Sequence, residues 1–233
     1  MYNKCKIQPP FFEIGPKAYL YGDAMLKLAK VIDRVAHKYD VDVIVTPQYT
    51  DIPLIAGNTE YIHVFAQHMD PLPIGRGLGS VLPEAVKAAG AEGVMLNHAE
   101  KPISLETIAQ TIKRADEVGL ATIVCADTVE DVRAIAALGP NMIVAEPTEL
   151  IGTGQTSNMD YVRSTIDTVR SINPSIMVLQ GAGISDGQDV YNVIKAGAEA
   201  TGSTSGIIKA DDPYAMTEEM LYSLRKAWDE LHP

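Results

Sequence analysis

Short apolar runs alternate with longer amphipathic segments along the whole chain. The runs predict strands at residues 11–14, 43–46, 63–66, 93–96, 122–125, 142–145, 177–180 and 200–202. They are apolar almost throughout and do not alternate with polar residues, which is typical of parallel strands buried on both faces. The pattern therefore indicates a parallel sheet covered by helices.

The amphipathic segments predict helices at residues 23–38, 82–89, 104–117, 131–137, 160–172, 189–196 and 213–231. The first of these places apolar side chains at helical spacing and charges on the opposite face. Asp212 followed by Pro213 is typical of the start of a helix. The stretch between Thr46 and His63 is less regular, and we expect a short helix there.

Eight strand–helix units within 233 residues favour a closed (β/α)8 barrel over an open sheet. No linker, low-complexity tract or change in composition divides the chain. We therefore expect a single α/β domain over residues 1–233. In such a barrel, functional residues lie on the loops that follow the C-terminal ends of the strands.

Three side chains on these loops suggest proton-transfer chemistry. His98 follows the fourth apolar run, Glu146 follows the sixth and Lys17 follows the first. A carboxylate base and an imidazole at one end of a barrel suit proton transfer next to a carbonyl group. A lysine could stabilise the anion that results. We therefore expect these three residues to converge at one mouth of the barrel.

Small residues after the last two strands predict a phosphate site, because they let backbone N–H groups approach phosphate oxygens closely. The predicted binding residues are Gly181, Gly183, Ser185, Thr204, Ser205 and Gly206. Loops after the seventh and eighth strands commonly bind phosphate in these barrels.

The segment from Glu146 to Gly154 predicts a lid with a stiff start at Pro147 and a loose end at Gly152-Thr153-Gly154. Ile151 and Gly152 of this segment complete the predicted substrate-binding residues.

Charge and cysteine content exclude several classes of function. Lys and Arg total 19 against 30 Asp and Glu, and the net charge of -11 argues against nucleic acid or an anionic membrane as a partner. A small anion remains compatible with this charge. Cys5 and Cys125 are too few for a disulfide framework, and no zinc-type spacing occurs. We expect a cytoplasmic protein with no metal or cofactor, no signal peptide and no membrane span.

Several of these segments resemble the triosephosphate isomerase family, in particular its short archaeal branch. The resemblance is carried by Asn97-His98-Ala99-Glu100, by Glu-Pro-x-Glu-Leu-Ile-Gly-Thr-Gly from Glu146, and by residues 181–186 and 205–210. Weaker similarity at residues 66–70 and 82–86 extends it over most of the chain. It implies a TIM barrel and an aldose–ketose isomerase of glycolysis and gluconeogenesis that acts on a small sugar phosphate. Glu146 would be the base, His98 the electrophile and Lys17 the lysine of the first loop.

The resemblance also implies a homodimer or homotetramer. We expect the contact near Phe65, Met69 and the loop at residues 76–79, because this loop normally reaches into a partner subunit. Three family residues are replaced here: Gly15 stands for Asn, Ala99 for Ser and Leu78 for Thr.

These departures suggest a divergent paralogue and leave the substrate open. Glyceraldehyde 3-phosphate and dihydroxyacetone phosphate are the default pair. A four-carbon ketose phosphate is the alternative within the same chemistry. A catalytically weakened phosphate-binding relative, or a barrel lyase or synthase, represents a different class.

Overall fold

Parallel strands close on themselves to form a barrel. The computed structural model describes residues 5–151, 153 and 157–233. Within them, each strand pairs in parallel with the next along the chain, and the last pairs with the first. The strands are β1 (Phe11–Ile14), β2 (Asp42–Val45), β3 (Ile62–Ala66), β4 (Gly93–Leu96), β5 (Ala121–Ala126), β6 (Met142–Ala145), β7 (Met177–Gln180) and β8 (Ala200–Gly202).

Helices follow the strands and cover the outside of the barrel. They are α1 (Gly22–Tyr39), α2 (Ile52–Ala56), α3 (Pro83–Ala88), α4 (Leu105–Val118), α5 (Val129–Ala136), α6 (Met159–Ile172), α7 (Gly187–Lys195), α8 (Ser205–Ile208) and α9 (Pro213–Leu231). Short 3₁₀ turns lie at Tyr49–Asp51 and Thr148–Leu150. None of the described helices is both long and apolar enough to cross a membrane.

The predicted (β/α)8 barrel is confirmed. The predicted bounds of β1, β4, β6, β7 and β8 match the structure, whereas β2, β3 and β5 each begin one residue earlier. Strand β2 also ends one residue before the predicted position, and β5 ends one residue after it. The short helix expected between the second and third strands is α2. Helix α8 was not predicted, because four residues are too few to show helical periodicity.

Capping residues explain where several helices begin and end. Helix α4 starts after Ser104, whose hydroxyl accepts a hydrogen bond from the amide of Thr107, and stops at Gly119 with φ 77°. Helix α5 starts two residues before the predicted position, because Thr128 and Asp131 form a reciprocal capping box. Asp131 is therefore the third residue of the helix and not its first.

Alternate residues of each strand pack on opposite sides of the barrel wall. The outward residues join the helices in the larger apolar core. The inward residues form a second cluster that includes Phe11, Ile44, Phe65 and Met95. Two residues after Phe11 on the inward side of β1 comes Glu13, a carboxyl group in an otherwise apolar part of the barrel interior.

Candidate active site

A cavity of about 550 Å³ lies at the C-terminal ends of the strands. Its size is that of a small-molecule site. The structure brings together Lys17, His98 and Glu146 in this cavity, as the sequence predicted. Of the predicted binding residues, those that line it are Ile151, Gly181, Gly183, Ser185, Thr204 and Ser205. Gly206 adjoins Ser205 in the chain, whereas Gly152 and Gly154 lie outside the described residues.

Lys17 occupies a left-handed backbone conformation, with φ 48°. Its carbonyl oxygen accepts hydrogen bonds from the side-chain amides of Gln48, at 2.7 Å, and Gln67, at 2.9 Å. A residue with a side chain adopts this conformation at an energetic cost, so the surrounding contacts must hold it. The Lys17 Nζ lies 2.7 Å from Glu100 Oε1, so the side chain is oriented from both ends.

A tight turn after β4 presents His98. Asn97 has φ 58°, and its side chain donates to the carbonyl of Cys125 at 2.9 Å and accepts from the amide of Ile103 at 3.0 Å. These bonds fix the turn, because they tie its first residue to the neighbouring strand and to the end of the loop.

The contacts of His98 favour the neutral imidazole. Its Nδ1 accepts a hydrogen bond from the amide of Glu100 at 3.1 Å, so any proton on the neutral ring lies on Nε2. Burial lowers the pKa of His98, and the nearby Lys17 charge lowers it further, whereas Glu100 raises it. A neutral ring with an Nε2–H group can donate to a carbonyl oxygen without carrying a net charge.

Glu146 follows β6 directly, and its amide donates to the carbonyl of Ala126 at 2.9 Å. Burial raises the pKa of its carboxyl group, Lys17 lowers it and Glu100 raises it. A raised pKa makes a carboxylate a stronger base. Gly181 leaves room for this side chain, since a Cβ there would lie 3.3 Å from Glu146 Cδ and 2.9 Å from Val144 Cγ1.

The turns after β7 and β8 present backbone amides to the cavity. Gly183 has φ 72°, a conformation that suits glycine. The amides of Gly183, Ser205 and Gly206 donate to no acceptor among the described residues. The amide of Ser185 instead donates to Asp189 at 2.9 Å, and its hydroxyl donates to the carbonyl of Gly183 at 3.3 Å. This hydroxyl lines the cavity and could contact an anion if it turned away from that carbonyl.

Sequence reasoning assigned no role to four residues that shape this site. Gln48 and Gln67 hold the backbone of Lys17, Glu100 pairs with its ammonium group, and Glu13 lines the cavity floor. The position of Glu100 within the Asn-His-Ala-Glu motif was a usable signal. Glu13 was also detectable, as a charged residue in an apolar strand. The two glutamines follow strands but bear no local pattern.

The structure corrects part of the expected subunit contact. Phe65 and Met69 are fully buried within the chain, because Phe65 faces the barrel interior and Met69 packs in the outer core. Neither is accessible to a partner. The following loop is exposed, and its Ile74 and Leu78 side chains extend into solvent.

The sequence model of the triosephosphate isomerase family matches residues 17–220. The chain belongs to this family. Glu13 and Gly15 precede the matched range. Within the described residues, no three His, Cys, Asp or Glu side chains are placed to hold a metal ion.

Archaeal triosephosphate isomerases are similar to the chain over nearly all of its length. The enzyme of Methanobacterium bryantii is 43% identical over 211 residues, which cover 88% of this chain and 93% of that protein. The enzyme of Methanothermus fervidus is 40% identical over 86% of this chain and 91% of that protein. The enzyme of Saccharolobus solfataricus is 34% identical over 95% of this chain and 99% of that protein. The expected resemblance to the archaeal branch is confirmed.

Proposed function

We propose that this chain interconverts glyceraldehyde 3-phosphate and dihydroxyacetone phosphate through an enediolate. The main support is the convergence of Glu146, His98 and Lys17 on one cavity in a chain of this family. The reaction would place the protein in glycolysis and gluconeogenesis, and we propose a cytoplasmic location for it. No cofactor is required for this proton transfer.

Each of the three residues has a distinct part in the proposed reaction. The Glu146 carboxylate removes a proton from the carbon beside the carbonyl group and returns it to the neighbouring carbon. The Nε2–H of His98 donates to the oxygen that gains negative charge, and Lys17 stabilises the same anion. Groups of this kind contribute roughly 10²–10⁴-fold each to a rate.

The phosphate group is proposed to bind at the turns after β7 and β8. The amides of Gly183, Ser205 and Gly206 and the hydroxyls of Ser185 and Thr204 are the proposed donors, with Gly181 and Ile151 adjoining them. Gly152 belongs to the same proposal by its place in the sequence. Backbone amides can bind an anion without a cluster of cationic side chains, which fits a protein of net charge -11.

A four-carbon ketose phosphate is the second candidate substrate, favoured by Gly15. Glycine at this position carries no side chain into the cavity, and a Cβ there would lie 3.0 Å from Glu13 Oε1 and 3.2 Å from the Thr46 hydroxyl. An additional substrate hydroxyl group near Gly15 would therefore have polar partners that the family's usual Asn would block. A catalytically weakened phosphate-binding relative has less support, because Lys17 pairs with Glu100 and the amide of Glu100 donates to Nδ1 of His98.

We propose a homodimer or homotetramer, with the exposed loop around Ile74 and Leu78 as the contact. Two large apolar side chains in solvent on one loop are typical of an interface. Light scattering at micromolar concentration tests this proposal, and a monomer would contradict it.

An isomerase assay over three- to five-carbon sugar phosphates tests the function, with Glu146→Ala as the blank. We expect turnover of the triose phosphates by the native chain and none above the blank by the variant. A protein that binds phosphate ligands but exchanges no carbon-bound proton on any of these substrates would be a binder and not an isomerase.

A further inference from the structure

The carboxyl group of Glu13 lies on the cavity floor, and the proposed reaction leaves it without a role. Glu13 is the third residue of β1 and is 9% exposed. Its Oε1 accepts a hydrogen bond from the Thr46 hydroxyl at 3.0 Å. Its Oε2 contacts no donor among the described residues, and the residue lines the cavity. One oxygen is thus bound by the protein, and the other is available to a ligand.

Two glycines leave space for this carboxyl group. A Cβ at Gly15 would lie 3.0 Å from Glu13 Oε1, and a Cβ at Gly202 would lie 3.2 Å from Glu13 Oε2. A side chain at residue 15 would therefore compete with Glu13 for the same part of the cavity. The absence of a side chain at Gly15 therefore makes room for the carboxyl group of Glu13.

The charges around Glu13 favour its neutral form when an anion binds. The pKa of Glu13 is raised to about 7, because burial and the Glu146 charge raise it by more than the hydrogen bond from Thr46 and the Lys17 charge lower it. The pKa of the Cys125 thiol on β5 is raised by burial, by the Glu146 charge and by the Glu13 charge. His98, Glu100 and Lys209 line the same cavity. A phosphate dianion adds negative charge near two carboxyl groups and so raises the proton affinity of Glu13.

We propose that Glu13 contacts the substrate, and that its neutral carboxyl group donates a hydrogen bond from Oε2 to a carbonyl or hydroxyl oxygen of the bound sugar phosphate. This inference rests on the proposed function, because it needs a sugar phosphate in the cavity. A neutral carboxylic acid in a buried site is a strong donor to an oxygen that gains negative charge. Glu13 would thus supply a hydrogen bond from the part of the cavity where a side chain at residue 15 would otherwise lie.

Proton uptake on binding tests this proposal directly. Calorimetric titration with glycerol 3-phosphate at pH 8, in two buffers of different ionisation enthalpy, gives the number of protons bound with the ligand. We expect uptake that is larger by roughly 0.5 to 0.9 proton in the native chain than in Glu13→Gln, since the amide cannot titrate. The affinity for glycerol 3-phosphate should weaken above pH 7 in the native chain, by up to about 10-fold per pH unit. It should weaken less steeply in the variant.

Two matched threonine variants separate a titrating group from a structural effect. Thr46→Val removes the bond to Oε1 that favours the ionised form, so the fall in affinity should begin roughly half a pH unit higher or more. Thr201→Val makes the same change at a buried residue of β8 whose hydroxyl donates to the carbonyl of Gln180. In this control, the pH at which the affinity begins to fall should be the same as in the native chain. The Thr46 variant also serves if Glu13→Gln does not fold, as judged by circular dichroism.

The possible outcomes distinguish this inference from the proposed function. If the native chain neither binds glycerol 3-phosphate nor turns over a sugar phosphate, the proposed function fails, and the role of Glu13 fails with it. If the native chain binds and turns over substrate but takes up no proton, only the role of Glu13 is overturned. The same holds if Glu13→Gln has the native proton uptake and pH dependence, or if Thr46→Val leaves the pH at which the affinity begins to fall unchanged.

Discussion

The ammonium group of Lys17 lies 2.7 Å from the carboxylate of Glu100, 83 positions later in the chain. The backbone amide of Glu100 also donates to Nδ1 of His98. Glu100, in the loop that follows β4, therefore orients two groups of the candidate site. Its side chain orients the lysine, and its backbone amide orients the imidazole.

Glu100→Gln tests this dual position, because it removes the carboxylate and keeps the backbone amide. We expect kcat to fall by about 10-fold or more, since Lys17 loses its charged partner and a misplaced group can cost as much as 10²-fold. His98 should remain neutral, because Glu100 raises its pKa and the substitution removes that effect. Steady-state kinetics measure the change.

Glu130→Gln provides the control, with the same loss of charge at an exposed residue of α5. Its kcat should match that of the native chain. Native activity in Glu100→Gln would show that the ion pair with Lys17 has no part in turnover.

Shortening the proposed base should lower turnover without much effect on binding. In Glu146→Asp the carboxylate withdraws by one methylene, so we expect kcat to fall by roughly 10²-fold while the affinity for glycerol 3-phosphate changes little. Kinetics and calorimetry together separate the two quantities. Glu106→Asp, at an exposed position of α4, is the matched control. An equal loss in kcat and in affinity would instead indicate that Glu146 mainly holds the ligand.

The sequence predicted the fold closely, because the apolar runs that mark buried parallel strands are local signals. Glu146, His98 and Lys17 were predictable for the same reason, since each follows such a run. Gln48 and Gln67 were not, because their contact with the Lys17 carbonyl depends on barrel closure between distant segments. The burial of Met69 was also not predictable, since it follows a strand at a position where the sequence does not distinguish core from surface.

A second electrostatic cluster should make stability depend on pH. His63 Nδ1 lies 3.3 Å from Glu92 Oε2, and its Nε2 lies 3.7 Å from Asp42 Oδ1. Burial lowers the pKa of His63, but the two carboxylates outweigh it and raise the pKa to about 9. This value exceeds that of an unfolded histidine, about 6.5. The cluster therefore stabilises the fold fully below pH 6.5, and this contribution is lost as the pH rises through 9.

We expect the free energy of unfolding to decrease between pH 7 and pH 9.5 in the native chain, and to decrease less in His63→Gln. Urea denaturation at several pH values measures both slopes. His232→Gln, near the exposed C-terminal end, serves as the control and should keep the native slope. Equal slopes in the native chain and in His63→Gln would exclude the imidazolium of His63 as the source.

Gly206 tests the proposed phosphate site, because its turn has no room for a side chain. A Cβ at this position would lie 2.6 Å from Ser203 Oγ and 2.7 Å from the carbonyl oxygen of Ile184, so Gly206→Ala must displace the turn. The Ser203 hydroxyl donates to that same carbonyl at 2.8 Å, which ties the turn after β8 to the turn after β7. A shift would therefore move the amides of Gly183, Ser205 and Gly206 relative to one another.

We expect Gly206→Ala to weaken binding of glycerol 3-phosphate by about 10-fold or more, since one lost hydrogen bond to a charged group costs roughly 1.5–3 kcal/mol. The value of kcat at saturating substrate should change less, because Glu146 and His98 lie on other loops. Gly57→Ala makes the same change at the end of α2, away from the cavity, and should keep native affinity. Native affinity in Gly206→Ala would place the phosphate elsewhere in the cavity. A large loss of kcat with unchanged affinity would instead connect this turn to the position of the reacting carbon.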